Sequence, residues 1–304
     1  MTVQSSQSAF SNTHPFLRLG IFSYVPAASD AAEAGARIRE WGFGGVKIHR
    51  TRPDDCLGVP LTAERCRSIR RGYESNGVEV VAFAAYRDLA TADAERRAEA
   101  RRQMIQWIRW APELGARLVC SEATVDAGRG QIDAGSADGD RQRSRDAQFQ
   151  VLVDEVGALE SYARAADVVL ALEPSASTPL DTVERALALV RAVDSPHLRL
   201  IFDPANLMTV EHLGRQQAFY AAVLDLLRPF LVLAHAKDFV YEGDAYQTPA
   251  AGTGLLDWAT IFGEMLRVGF DAPVILEHLT AEQVPAAREY LRQCFTRAAT
   301  DPPD

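Results

Sequence analysis

Four acidic or imidazole side chains lie at or near the carboxyl ends of short apolar segments in the second half of the chain. An apolar segment that stops at a lone charged residue is typical of a buried strand that delivers the charge to an active-site opening. Three carboxylates and one imidazole suit a hard or borderline divalent metal, which would also compensate the buried negative charge. The pattern predicts a metal-dependent enzyme with the candidate ligands Glu173 in VVLALE, Asp203 in LRLIFD, His235 in LVLAHAKD and Glu277 in PVILE.

These segments belong to a longer alternation of strand-like and helix-like patterns. Strands are expected at 17–23, 44–49, 78–85, 116–121, 168–173, 198–203, 231–236 and 273–278, and helical periodicity fills the intervals. Eight strands alternating with eight helices predict an α/β fold, a (β/α)₈ TIM barrel in a single domain. A doubly wound open sheet is the alternative, but the first strand–helix turn, FSYVPAASD, lacks a GxGxxG fingerprint.

The barrel is expected to span residues 17–296, with a flexible N-terminal segment at 1–16 and a C-terminal tail at 297–304. A Gly/Asp-rich stretch at 122–143 follows the fourth strand. It is either a surface loop or a lid over the opening, because loops after barrel strands lie on the active face. Glu122 ends the fourth strand and is a candidate substrate-binding residue.

Composition restricts the functional classes. The chain has 304 residues, 47% of them hydrophobic, and a net charge of −9. This acidity argues against a broad nucleic-acid surface, and no apolar stretch approaches the roughly 20 residues of a membrane span. Four cysteines without a CxxC pair and the absence of a visible signal peptide predict a cytoplasmic protein. A homo-oligomer is compatible with the composition.

Two further polar residues are expected at the opening. The two-residue period of a strand places Lys237 on the same side as His235. Lys237 either binds a substrate oxyanion or forms a structural ion pair with Asp238 or Glu277. His49 either faces the opening or caps the second strand.

The order and spacing of several motifs are similar to those of the xylose isomerase-like TIM-barrel superfamily of sugar and sugar phosphate isomerases and epimerases. The resemblance extends from about Leu17 to Leu291. It implies one divalent metal, Mn²⁺, Mg²⁺, Co²⁺ or Zn²⁺, held by the four candidate ligands, and it implies that Glu173 and Glu277 are also the acid/base residues. The matching motifs are AAYRDLA at 84–90, LALEP at 170–174, LIFDPAN at 200–206, LAHAKDF at 233–239, GTGLLDW at 252–258 and VILEH at 274–278.

Three positions depart from the pattern of this superfamily. Asn206 stands where a histidine is often found three residues after the aspartate ligand, and Lys47 stands where many members carry glutamate. Pro174 and Ser175 follow the fifth strand, where some members have histidine. The substrate contacts are therefore expected to differ, with Asn206 and Tyr86 as candidates for substrate binding.

The resemblance implies an isomerase or epimerase of a sugar, sugar phosphate or polyol ketone. Proton transfer alpha to a carbonyl, through a metal-stabilised enediolate, would serve either reaction. A dehydratase of the inosose or dehydroshikimate type would use the same residues and remains open, as does a barrel that binds metal or sugar without turnover. Cleavage of abasic DNA would need a multi-zinc cluster, and the chain has only six histidines.

Overall fold

The computed structural model describes residues 18–49, 61–123, 138–242 and 245–301. Within these ranges, eight parallel strands close into a barrel, and each neighbours the next one along the chain. The predicted (β/α)₈ barrel is confirmed. Its strands are β1 (Leu19–Phe22), β2 (Gly45–His49), β3 (Glu79–Ala84), β4 (Leu118–Glu122), β5 (Val169–Glu173), β6 (Leu198–Phe202), β7 (Leu231–Ala236) and, after a hairpin of β8 (Val240–Glu242) and β9 (Ala245–Gln247), β10 (Val274–Leu276), which pairs with β1.

Helices surround the barrel in the intervals between strands. They are α1 (Ala31–Glu40), α2 (Ala63–Glu74), α3 (Ala94–Leu114), α4 (Asp138–Ala165), α5 (Val183–Val193), α6 (Pro204–Leu207), α7 (Gln216–Leu227), α8 (Trp258–Arg267) and α9 (Val284–Thr300). No helix in the described ranges is long and apolar enough to cross a membrane.

The structure adds elements that hydrophobic periodicity missed. Strands β8 and β9 have three residues each and the one-turn helix α6 has four, too few to produce a detectable period. Helix α4 begins at Asp138, so the last part of the predicted 122–143 loop is helical, and residues 124–137 lie outside the described residues. Helix α9 continues to Thr300, four residues into the predicted tail at 297–304. The predicted N-terminal segment also lies outside the described residues.

Local sequence signals account for where the helices begin and end. The side chain of Asp93 accepts hydrogen bonds from the first backbone N–H groups of α3, and Thr182 and Asp257 do the same for α5 and α8. These caps satisfy donors that have no partner within the helix. Gly115 ends α3 in the left-handed conformation, at φ 81°, which glycine adopts without a Cβ clash.

The strands are buried on both faces, as a barrel surrounded by helices requires. In β5, for example, Leu170, Ala171 and Leu172 are all at most 1% exposed. Outside the barrel, Phe83 of β3 packs edge-on against Trp107 of α3, with ring centroids 6.1 Å apart. The middle of such a strand is therefore largely apolar.

One buried carboxylate fixes the polypeptide that follows β7. Oδ1 of Asp238 accepts hydrogen bonds from the backbone N–H of Phe239 and Leu256, and Oδ2 accepts one from Gly252. The carboxylate therefore ties the end of β7 to the GTGLLDW segment. It also fixes the backbone next to Lys237.

Gly254 lies against the Asp238 carboxylate, and we predict that Gly254→Ala destabilises the fold. A Cβ at this position would lie 2.5 Å from the carbonyl oxygen of Phe239 and would also overlap the Asp238 carboxylate. Overpacking of this kind costs about 1–3 kcal/mol, which a chemical denaturation curve resolves. The control is Gly157→Ala in α4, where no atom lies within 4 Å of the new methyl and helix propensity favours alanine. Equal stability of the two variants would contradict the prediction.

Candidate metal centre

The four candidate ligands converge at the carboxyl ends of their strands. Glu173 ends β5, Asp203 directly follows β6, His235 lies in β7 and Glu277 directly follows β10. One ligand atom from each residue lies within 4.8 Å of all the others. Ligand atoms around a common divalent cation, each about 2.0–2.3 Å from it, are separated by no more than about 4.6 Å. The donor set therefore fits a single divalent ion after small movements.

The imidazole of His235 presents one nitrogen to the carboxylates. Its Nδ1 lies 3.3 Å from Oε2 of Glu173, 3.2 Å from Oδ2 of Asp203 and 3.6 Å from Oε1 of Glu277. Its Nε2 points the other way and lies 2.6 Å from Nζ of Lys47. Nδ1 is therefore the nitrogen placed to bind a metal.

Lys237 supplies the positive charge that the three carboxylates need. Its Nζ donates hydrogen bonds to Oδ2 of Asp203 and, over 2.5 Å, to Oε1 of Glu277, and it lies 3.8 Å from Oε1 of Glu173. Of the two ion pairs that the sequence suggested, the one with Glu277 forms. Asp238 instead binds backbone N–H groups, so that expected pairing is wrong. The substrate contact predicted for Lys237 stays a prediction.

Asn206 contacts the ligands directly. Its Nδ2 donates to Oε1 of Glu173 over 2.5 Å, and its backbone N–H donates to Oδ1 of Asp203 over 3.0 Å. The short helix α6 places both groups, because Asp203 caps that helix. Asn206 therefore orients two candidate ligands. Its predicted contact with substrate stays a prediction.

The other candidate substrate-binding residues lie on the opposite half of the opening, where His49 ends β2, Tyr86 follows β3 and Glu122 ends β4. The ring of His49 lies 5.7 Å from that of Tyr86 and 5.8 Å from that of Tyr24. The structure thus places His49 among aromatic rings at the opening. Glu122 pairs in register with Glu173 across the neighbouring strands β4 and β5. Tyr86, Glu122 and His49 are therefore all brought to the opening, where their binding roles stay predictions.

Sequence reasoning did not select Lys47 as a site residue, although it noted the position as unusual. Its side chain is fully buried, and its Nζ contacts His235 and, over 3.1 Å, the Tyr86 hydroxyl. One signal could have found it. The chain contains 32 lysine and arginine residues, and only Lys47 and Lys237 are lysines. Both lie in this site.

The sequence matches the family described as xylose isomerase-like TIM barrel over residues 36–294. The chain belongs to this family. The resemblance deduced from the motifs is therefore confirmed, and the closed barrel agrees with it.

Among individual relatives, the ketose 3-epimerase of Arthrobacter globiformis is 28% identical over 105 residues, which are 34% of this chain and 32% of that protein. The match thus spans about a third of the relative's length. Two crystal structures share the fold. The apo 3-keto-D-glucoside 4-epimerase from E. coli has a TM-score of 0.72 and 18% identity, covering 91% of this chain and all of that one. A xylose isomerase-like TIM barrel protein from Mycobacterium smegmatis, in complex with magnesium, has a TM-score of 0.66 and 20% identity. The match covers 96% of this chain and 99% of that one.

Interactions among the buried charged groups keep the carboxyl groups of Glu277 and Asp203 ionised. Burial alone raises the pKa of Glu277, but His235 and Lys237 outweigh it and hold the pKa at about 2. Burial likewise opposes ionisation of Asp203, whose pKa is nevertheless lowered by Lys237 and His235. Burial and then the negative charge of Glu173 raise the pKa of Tyr86, so its hydroxyl keeps its hydrogen.

The protonation of His235 is set by opposing neighbours. Burial lowers its pKa, Glu277 raises it, and Lys47 lowers it again, with a net rise to about 9. At this pKa the imidazole carries a hydrogen on Nδ1 near neutral pH, and Nδ1 faces the carboxylates.

The lowered pKa of Glu277 predicts a defined loss of stability in acid for the metal-free protein. A carboxyl whose pKa falls from 4.5 unfolded to about 2 folded contributes about 3 kcal/mol above pH 4.5, and this contribution disappears as the pH falls toward 2. Glu277→Gln should therefore be less stable than wild type at pH 7 in chelator. The difference should shrink between pH 4.5 and 2, as measured by urea denaturation. A difference independent of pH would show that the Glu277 charge contributes nothing.

Proposed function

We propose that the protein is a divalent-metal-dependent isomerase or epimerase of a keto-sugar or a related polyol ketone. The observation that carries the proposal is the convergence of Glu173, Asp203, His235 and Glu277 on one buried position at the barrel opening. The epimerase activities of the Arthrobacter globiformis and E. coli relatives support the class of reaction. The magnesium complex of the Mycobacterium smegmatis relative supports the class of cofactor.

The four converging residues would hold the metal, with Nδ1 of His235 and one oxygen from each carboxylate as ligand atoms. A divalent cation bound there supplies Lewis-acid polarisation of a substrate carbonyl and of the neighbouring hydroxyl. Asn206 and Asp203 make this half of the opening rigid, because Asn206 binds both Glu173 and Asp203. Rigid ligands keep a substrate oriented for proton transfer.

The two glutamates are placed to exchange protons with opposite sides of a substrate carbon. In the barrel, β5 and β10 are separated by β6 and β7, so Glu173 and Glu277 reach the opening from different directions. One glutamate accepts the proton alpha to the carbonyl, and the other donates a proton. Return to the opposite face of the same carbon gives epimerisation, and return to the adjacent carbon gives isomerisation.

The glutamate that accepts the substrate proton must start ionised, and the glutamate that returns a proton to the opposite face must start protonated. Glu173 accepts a hydrogen bond from the amide of Asn206, and Glu277 accepts one from the ammonium of Lys237. In isomerisation a single glutamate can return the proton that it has accepted.

The β2–β4 half of the opening would bind the hydroxyl groups of the substrate. His49, Tyr86 and Glu122 offer donors and acceptors there, and the rings of Phe22 and Tyr24 lie beside them, with centroids 5.2 Å apart. A sugar combines hydroxyl groups with apolar C–H faces, and this mixture of polar and aromatic groups suits both. Lys237 and Asn206 complete the set of proposed substrate contacts from the other side.

The proposal predicts that Glu173→Gln and Glu277→Gln each lower turnover about 10²–10⁴-fold. A glutamine oxygen still binds metal, but the amide cannot accept a proton at neutral pH. Metal affinity, measured by calorimetry with Mn²⁺, should therefore fall much less than turnover. Turnover is followed by NMR as deuterium uptake from D₂O into D-fructose, D-tagatose and a 3-keto-glucoside.

Glu289→Gln is the matched control. Glu289 lies on α9 and pairs with Arg292 at the surface, so turnover should be unchanged. A product lighter than its substrate by the mass of one water molecule would show that the protein is a dehydratase and not an isomerase. Metal and sugar binding without any deuterium exchange would establish a binding protein and reject an enzyme.

A further inference from the structure

The backbone takes an unusual conformation directly after Glu277. His278 has a φ of 57°, in the left-handed region that residues with a Cβ rarely adopt. Two other described residues with such a φ, Asp167 and Asp194, lie between a helix and the next strand, where a left-handed residue commonly ends a helix. His278 instead follows the carboxyl end of a barrel strand. A conformation of this kind persists where surrounding contacts enforce it, and it is common at active sites.

Two side chains from other parts of the opening hold His278. Its backbone N–H donates a hydrogen bond to the hydroxyl of Tyr24 over 3.2 Å. Its Nδ1 lies 2.5 Å from Oγ1 of Thr248. Tyr24 belongs to the segment after β1, and Thr248 follows the β8–β9 hairpin. His278 therefore joins the segments that follow three strands of the barrel, β1, β7 and β10.

Both partners of His278 are themselves anchored. Next to Thr248, the carbonyl oxygen of Pro249 accepts a hydrogen bond of 2.8 Å from the backbone N–H of Asp238. The ring of Tyr24 meets the ring of His49 edge-on, with centroids 5.8 Å apart. His278 is thus fixed between two supported groups.

These contacts fix the direction in which the Glu277 side chain leaves the backbone. The N–H of Glu277 donates to the carbonyl oxygen of Ala236 in β7 over 3.2 Å. The next N–H, that of His278, donates to Tyr24 on the β1 side. The peptide groups before and after Glu277 are therefore both held, by neighbours on opposite sides of β10. Because two fixed peptide planes leave the Cα between them little freedom, the Cα–Cβ bond of Glu277 has a set direction.

The left-handed conformation also places the imidazole beside the carboxylate. Consecutive side chains of an extended strand point to opposite faces. Here, however, Nε2 of His278 lies only 4.0 Å from Oε1 of Glu277. The same oxygen accepts the hydrogen bond of 2.5 Å from Nζ of Lys237. The imidazole therefore flanks the oxygen through which Glu277 joins the candidate metal centre.

We propose that His278 is a positioning residue whose left-handed backbone, held by Tyr24 and Thr248, directs the carboxylate of Glu277 into the opening. The inference rests on the proposed function, in which Glu277 binds the metal and transfers a proton, and it deepens that function. Positioning matters because a displacement of about 1 Å can lower an enzymatic rate about hundredfold.

The residue type suits both parts of this role. Histidine, asparagine and aspartate adopt the left-handed region several-fold more often than other residues with a Cβ. Asparagine also carries a polar atom at the same number of bonds from Cα as Nδ1 of histidine, so it can still reach Thr248. Alanine has neither property. His278→Asn and His278→Ala therefore form a pair in which only the second variant should disturb Glu277.

Calorimetry with Mn²⁺ is the first test. His278→Ala should raise the Kd for Mn²⁺ about 10–100-fold, as loss of a group that orients a metal ligand typically does. His278→Asn should stay within about threefold of wild type, because it keeps the conformation and the contact. The matched control is Asp194→Ala, which changes a residue with a φ of 44° at the end of α5. Its Kd for Mn²⁺ should equal that of wild type, because α5 leads into the opposite end of the barrel.

Thr248→Val keeps the test decisive if His278→Ala does not fold. Valine has nearly the shape of threonine but cannot contact Nδ1, so it should raise the Kd for Mn²⁺ in the same direction, about threefold to tenfold. Unchanged Mn²⁺ affinity in both His278→Ala and Thr248→Val would overturn the proposal. Equal losses in His278→Ala and Asp194→Ala would also overturn it, since they would reflect general destabilisation.

A double-mutant cycle on turnover is the second test. With D-fructose and saturating Mn²⁺, His278→Ala should lower kcat about 10–100-fold and leave KM within about threefold of wild type. In a Glu277→Gln background the same change should lower kcat no further, because His278 acts through the carboxylate that is already gone. Additive losses would overturn the proposal. A raised KM with unchanged affinity for Mn²⁺ would make His278 a substrate contact and would also overturn it.

Failure of this inference is distinguishable from failure of the proposed function. Wild-type protein that binds Mn²⁺ and exchanges deuterium into D-fructose, together with a His278→Ala variant unchanged in both, overturns the role of His278 alone. Wild-type protein that binds Mn²⁺ but exchanges deuterium into no sugar tested overturns the proposed function, and the Mn²⁺ affinities of the variants still decide whether His278 directs Glu277. Wild-type protein that does not bind Mn²⁺ overturns both.

Discussion

Compensation of buried negative charge at the barrel opening is the constraint on which the rest of the site depends. Glu173, Asp203 and Glu277 converge almost without solvent exposure, and like charges at such distances repel strongly where solvent is excluded. The ammonium of Lys237 offsets this repulsion by donating hydrogen bonds to Asp203 and Glu277. A divalent cation bound by the same carboxylates would supply two positive charges where Lys237 supplies one.

The two halves of the barrel opening contribute different chemical groups. The half made by β5, β6, β7 and β10 delivers the four candidate ligands, one at or near each strand end. The half made by β1 to β4 delivers aromatic rings and Lys47, with Glu122 at the boundary with β5. His235 connects the two halves, because its Nδ1 faces the carboxylates and its Nε2 faces Lys47. A change in the protonation of this imidazole therefore reaches both the three carboxylates and Lys47.

Much of this arrangement could be predicted from the sequence because it depends on local patterns. A barrel strand buried on both faces reads as an apolar segment, and the carboxylate at which the segment stops marks the opening, as Glu173 and Asp203 do. Other features depend on contacts between distant residues. Lys47 and His235 are 188 positions apart, and Asp238 recognises backbone N–H groups up to 18 positions away. A sequence pattern carries no trace of such partners, so the position of Lys47 could be noted and its role could not.

Lysine, and not arginine, occupies the two basic positions of the site, 47 and 237. The ammonium of Lys237 contacts the carboxylates of Asp203 and Glu277 and would have to move when a divalent cation binds them, whereas the ammonium of Lys47 contacts Nε2 of His235. An arginine pairs best in a fixed planar geometry, which suits the helix–helix ion pairs of α3 and α4. A lysine loses less by turning, because its three donors are equivalent and its stem is flexible. At position 237 a lysine therefore suits a cation that would have to change partners, and the arginines of the helix–helix pairs suit cations that stay in place.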